Sequence, residues 1–284
     1  VTGASPALLA ALLATLAQAP AVPSKPVAPS PRVPARGTRT WKVTGTDVTF
    51  ELSAKDLRAQ RGGKEVFGLR ARMKRFLADF RFEPDEDTSN WEASESLQVL
   101  SVVGPFVSLL REAGGYTGGA HPYASTGYAT EDVTREDGAF SLLAHFPEKD
   151  VLAALKADGF VRKNVSDAAA FAKASTVEAL VASLGPESDC VGFSLEDVQH
   201  SVAFHHLEGD KVAVRVAFGY ASEACRGSKY VVGLLLPVPP ALKPALERAA
   251  RREEGFLMKD AKAAGAPTVS FQWRGEEPAS PKAP

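Results

Sequence analysis

The stretch GGYTGGAHP, Gly114 to Pro122, gathers the residues of this chain best suited to ligand recognition. Its glycines permit positive φ angles and close approach of another backbone, and His121 precedes a proline that biases it towards extended geometry. An imidazole can titrate near neutrality, hydrogen-bond at both nitrogens or bind a metal. A phosphate cradle would need a helix after the glycines, with free N–H groups facing the anion; a strand pattern follows instead. Two readings of Tyr116, Gly118, Gly119, Ala120 and His121 stay open. One is a tightly turned strand connection with His121 hydrogen-bonded inside it; the other is a tip that contacts a ligand. The first is the expected one: His121 is mainly structural, and His121→Ala should leave a buried partner unsatisfied and cost about 1–3 kcal/mol of stability.

Metal binding is the rival chemistry, because His200, His205 and His206 lie close together. If HSVAFHHL is one strand, His200 and His206 stand about 20 Å apart and His205 faces the other way, so no ion is shared and no metal site is expected. His145 reads as a residue at the start of a helix. The chain carries no G-x-S-x-G, H-E-x-x-H, G-x-x-x-x-G-K-[ST] or C-x-x-C motif. No catalytic residue and no cofactor is therefore assigned. The alternative is an envelope hydrolase using His121 with Ser125 and a distant acid such as Asp132. Asp85 and Asp87 read as a solvated acidic loop rather than a glycosidase pair.

Cys190 and Cys225 are the only cysteines. An even pair in an exported chain suits one disulfide, here closing the outer ends of a hairpin; two separate thiols are the alternative.

The elements that must position these residues follow from periodicity. WKVTGTDVTFEL, from Trp41, alternates as two short strands, and a helix is expected through Met73 to Phe80. LQVLSVVGPFVSLLRE, from Leu97, reads as two strands joined at Gly104-Pro105, and Tyr123 to Val133 as a third. Helices are expected over Lys149 to Lys156 and Asp167 to Leu184. Ser201 to Leu207 and Lys211 to Tyr220 form the clearest hairpin. A strand over Tyr230 to Val238, a helix over Leu242 to Ala264 and a strand over Thr268 to Trp273 complete the order. The fold class is α+β, a largely antiparallel sheet with helices packed on one side in a single domain.

The 284 residues carry 33 basic and 34 acidic side chains, mixed throughout, which argues against nucleic acid as a partner. Isoleucine is absent and Ala, Val, Arg, Gly and Pro abound, the usage of a GC-rich bacterial genome. Ala7 to Ala17 is an apolar run of signal-peptide length followed by small-x-small cleavage candidates, although no Lys or Arg precedes it. The expected organisation is a signal peptide over 1–21, a Pro-rich linker over 22–40, a folded domain over 41–274 and a disordered tail over 275–284. A run this short does not span a bilayer, so the mature chain is expected to be periplasmic or secreted, without a stable membrane span, and monomeric.

Around the GGAH run the sequence resembles the extracytoplasmic domain shared by RsiV-type anti-sigma factors and PdaC-type peptidoglycan deacetylases. Tyr116, Gly118, Gly119, Ala120 and His121 match its first motif; Gly138, Leu142 and Phe146 match its second. Tyr230, Gly233 and Pro237 resemble its late strand. The likeness covers Trp41 to Pro239, and only the GGAH region is specific. Where the family has Leu-x-Asp-Leu-Phe, this chain has Leu142-Leu143-Ala144-His145-Phe146. The resemblance implies an extracytoplasmic, usually non-catalytic α+β module that binds or senses a cell-envelope protein or glycan. The lysozyme partner of the anti-sigma branch does not carry over.

Overall fold

Alternating apolar residues build a meander at the start of the fold, which the computed structural model describes over residues 37–79, 87–185, 190–220, 225 and 229–275. The expected signal peptide, most of the linker and most of the tail lie outside the described residues. β1 (Arg39–Lys42), β2 (Val48–Leu52), β3 (Leu57–Arg61) and β4 (Lys64–Gly68) pair in sequence order as an antiparallel sheet. Two residues assigned to the linker, Arg39 and Thr40, thus belong to β1. The first helix, α1 (Leu69–Asp79), begins four residues before the expected Met73. Its early start has a remote cause: the Asp56 carboxylate, from the turn before β3, accepts a hydrogen bond from the Arg70 N–H at 3.1 Å.

A long ribbon follows, made of β5 (Glu92–Val103), β6 (Phe106–Tyr116) and β7 (Tyr123–Asp132), with the turn at Gly104-Pro105 where the sequence placed it. The last strand of the chain, β12 (Thr268–Arg274), pairs along the outer side of β5, giving the order β12-β5-β6-β7.

Between β7 and β12 the chain is mostly helical, then returns as strands. The helices α2 (Leu142–His145), α3 (Glu148–Ala157), α4 (Gly159–Lys163), α5 (Ala168–Lys173) and α6 (Val177–Ala182) come first. After them come β8 (Val191–Gly192), α7 (Leu195–His200), β9 (Val202–Glu208), β10 (Lys211–Tyr220), β11 (Tyr230–Pro237), α8 (Lys243–Ala250) and α9 (Ala261–Ala264). β10 is central to a third antiparallel sheet, flanked by β11 and β9, with β8 at its end. The class is α+β with antiparallel strands, as expected, and the strands are divided among three sheets.

Three expectations are corrected. The segment Asp167 to Leu184 is two helices, because the Thr176 hydroxyl accepts from the Ala179 N–H and starts a second one. The segment Leu242 to Ala264 is broken where Phe256 bridges to Val102, and Gly255 (φ 83°) permits the break. A Cβ there would lie 2.0 Å from the Val102 carbonyl oxygen, so only glycine fits the chain where it turns out of the helix against β5. Third, the condition that HSVAFHHL is one strand fails at its first residue: His200 ends α7, which the Ser194 side chain caps, while the strand expected from Ser201 begins at Val202.

The ribbon separates two cores. A bulge at Leu100 shifts the register between Val99 and Ser101. Val99, Val102, Val107 and Leu109 enter one core with Trp41, Phe50, Leu57, Phe67 and Leu69. Val103 and Phe106 enter the other with Phe140, Phe204, Val214, Leu234 and Leu246. Cys190 and Cys225 are bonded, with Cα atoms 5.2 Å apart. Since Val191 pairs with Tyr220, the bridge fastens β8 at the outer end of β10.

Candidate functional site

The far end of the ribbon projects past both cores, and the five motif residues sit there. Tyr116 closes β6 opposite Glu92, and the turn to β7 holds Gly118, Gly119, Ala120 and His121, all exposed. Gly118 adopts φ 80°, and a Cβ on it would meet the Trp91 indole at 2.8 Å. No other residue fits: the backbone is left-handed and an aromatic ring lies against it. Gly115 is held as closely, since a Cβ there would lie 2.2 Å from the Glu92 carbonyl oxygen. Glycine thus serves close packing of the turn onto Trp91, which the sequence did not single out. Trp91 is itself fixed at its backbone, its N–H donating to Thr88 O and its carbonyl accepting from the Gly275 N–H.

His121 does not take the buried structural role considered above. It is exposed and forms no hydrogen bond or ion pair among the described residues. The turn is held by the glycines and Trp91, so the imidazole is left on the surface.

Strand register assembles the rest of this end. Ala93, Gly115, Tyr123 and Trp273 lie across from one another on one face, followed by Glu95, Ala113, Ser125 and Phe271. Glu95 is buried, its side chain 2% exposed, and is ion-paired with Arg111. The Arg111 guanidinium lies 5.4 Å from the Phe76 ring, and Phe76 lies 5.5 Å from Phe271. Burial pushes the Tyr123 phenol up, and the Glu95 carboxylate adds to the shift. The alternation EASESLQ carried the signal for Glu95, since it shares a face with Ala93 and Leu97.

The remaining histidines are elsewhere. His145 closes α2 rather than starting a helix; its ring stacks on Phe140 at 4.8 Å and meets the edge of Phe106 at 4.9 Å. Burial lowers its pKa, against a smaller opposing pull from Asp132. His200 Nδ1 is 2.6 Å from the Phe140 carbonyl oxygen. His205 and His206 do meet, their Nδ1 atoms 2.7 Å apart, because the β9–β10 register shift turns consecutive side chains towards one another. That corrects the expectation of opposite faces. Among the described residues, no group of three or more His, Cys, Asp or Glu is placed to hold a metal ion.

The imagined hydrolytic set does not assemble. Asp132 ends β7, seven residues and about 24 Å along the strand from Ser125. Its carboxylate accepts from the Thr134 N–H and hydroxyl. Among the described residues no helix is long and apolar enough to cross a membrane.

No family model matches the chain, and no curated protein matches it. The likeness to the RsiV-type domain thus rests on the residues quoted for it.

Proposed function

We propose that this chain is an exported, non-catalytic binding or sensing module of the bacterial cell envelope, whose ligand, a protein or a glycan, is met at the outer end of the ribbon. The observation that carries the reading is the build of that end. Gly118 is committed to packing against Trp91, while Trp91, Tyr116 and Tyr123 stay half-exposed beside His121, which is exposed and without a hydrogen bond among the described residues. Aromatic rings on a rigid strand scaffold offer flat area and polar edges at small entropic cost. The apolar N-terminal run and the disulfide support an extracytoplasmic setting, since such bonds persist in oxidising compartments.

Co-sedimentation with isolated peptidoglycan sacculi, and pull-down against purified envelope proteins, test the reading. Binding should be lost in Trp91→Ala/Tyr123→Ala without release of soluble wall fragments. Fragment release by the wild type that disappears in His121→Ala would establish the hydrolase instead.

A further inference from the structure

A second surface, independent of the ribbon tip and of export, lies along β12. A groove of about 510 Å³ runs between this strand and α1, lined by Ala54, Lys55, Arg70, Met73, Lys74 and residues 268–271. Four consecutive strand residues line it, so it follows the edge of the strand rather than one face.

Two hydrogen bonds fix which backbone groups face the groove. Val99 N–H donates to Pro267 O at 3.1 Å, and Gly275 N–H donates to Trp91 O at 2.8 Å. With Val269 opposite Leu97, the residues that exchange bonds with β5 are Val269, Phe271 and Trp273. Thr268, Ser270 and Gln272 therefore turn their N–H and C=O groups outward. No strand pairs with that edge among the described residues. Exposed edges are normally blunted by charge or proline within the strand. Here charge and proline stand only at the limits, Arg274 as the last strand residue and Pro267 just before the first; the stretch between them, TVSFQW, carries neither, and its residue types favour extended pairing.

The charge stands on the walls instead. Lys55 on one side and Arg70 and Lys74 on the other are exposed, and none enters an ion pair among the described residues. A second copy of β12 brought alongside would set these cations against their own counterparts, so charge disfavours self-pairing. From the open edge and the cationic walls we infer that the groove accepts an extended acidic segment of a partner protein, which adds to β12 as a further antiparallel strand. Thr268 and Ser270 each exchange an N–H and a C=O with it. Its apolar side chains lie against Met73 and Val269, and its carboxylates reach Lys55, Arg70 and Lys74.

The test uses the full chain and fluorescein-labelled Glu-Val-Glu-Leu-Glu-Val-Glu, read by anisotropy. The acidic peptide should bind at least tenfold more tightly than its Lys-for-Glu counterpart and weaken with salt. Ser270→Pro removes an outward N–H at a position where an edge strand tolerates proline, and should cost tenfold or more in binding with the melting temperature retained. N-methylating one alternate set of peptide residues should abolish binding while the other set is tolerated; this, with Lys55→Glu/Lys74→Glu, decides the matter even if Ser270→Pro misfolds. Equal binding of both peptides, or indifference to which set is methylated, would overturn the proposal. So would sedimentation showing a dimer that Ser270→Pro dissociates, which would make a second copy the occupant.

Discussion

The same three strands, β5, β6 and β7, live in two environments. At the inner end both faces are covered, and the sequence is nearly continuous apolar residues, VLSVVGPFVSLL, with Ser108 satisfied by Thr130 at 2.8 Å. At the outer end the strands read EASES and EAGGY, charged, small and aromatic, and the cores no longer reach them. A strand covered on both faces cannot alternate, whereas one with a free end can carry polar and aromatic groups. Stability is invested at one end, which leaves residue types at the other free for recognition.

The contrast is broken most severely from the inner end. Phe106→Ala empties a site packed by Phe140, His145 and Phe204, and should cost about 3–5 kcal/mol in denaturant unfolding. Opening the disulfide with Cys190→Ser/Cys225→Ser should cost about 2–4 kcal/mol, lowering the midpoint while leaving binding at the ribbon tip unchanged.

Acid should also act through the inner end. His145 has a folded-state pKa lowered by burial, so the unfolded chain binds its proton more readily. The stability it contributes is complete above about pH 6.5 and is lost as pH falls through that value towards the folded one. Thermal melts from pH 8 to pH 5 should fall, and His145→Phe, which keeps the aromatic stack, should flatten the fall. The smallest effect belongs to the residue the sequence marked most strongly. His121→Ala should change stability by less than about 0.5 kcal/mol, because the exposed ring leaves nothing unsatisfied behind.

That reversal shows what was legible. Alternation and turn residues located β5, β6, β7, the β9–β10 hairpin, β11 and β12, because those signals are local. The GGAH run was visible as a special turn, yet its reason was not: the partner of Gly118 is Trp91, just before β5 and 27 residues back along the chain. Helical spacing continues across the breaks at Thr176 and Gly255 and conceals both; the contact of Gly255 with Val102 is tertiary, whereas the Thr176 cap is a local hydrogen bond that its residue type alone could have signalled. The meeting of His205 and His206 depends on a bulge that no period of two reveals. Cys190 and Cys225 were paired correctly because there was only one way to pair them.

The division between a holding end and a recognising end is tested most directly by hydrogen exchange of the full chain, free and then mixed with sacculi or with purified envelope proteins. In the free protein residues 99–109 should exchange slowest and 117–122 fastest; with one of the two ligands, protection should rise at Trp91 and 116–123 alone. Protection that appears only outside that end, or wall fragments released into solution, would contradict the account.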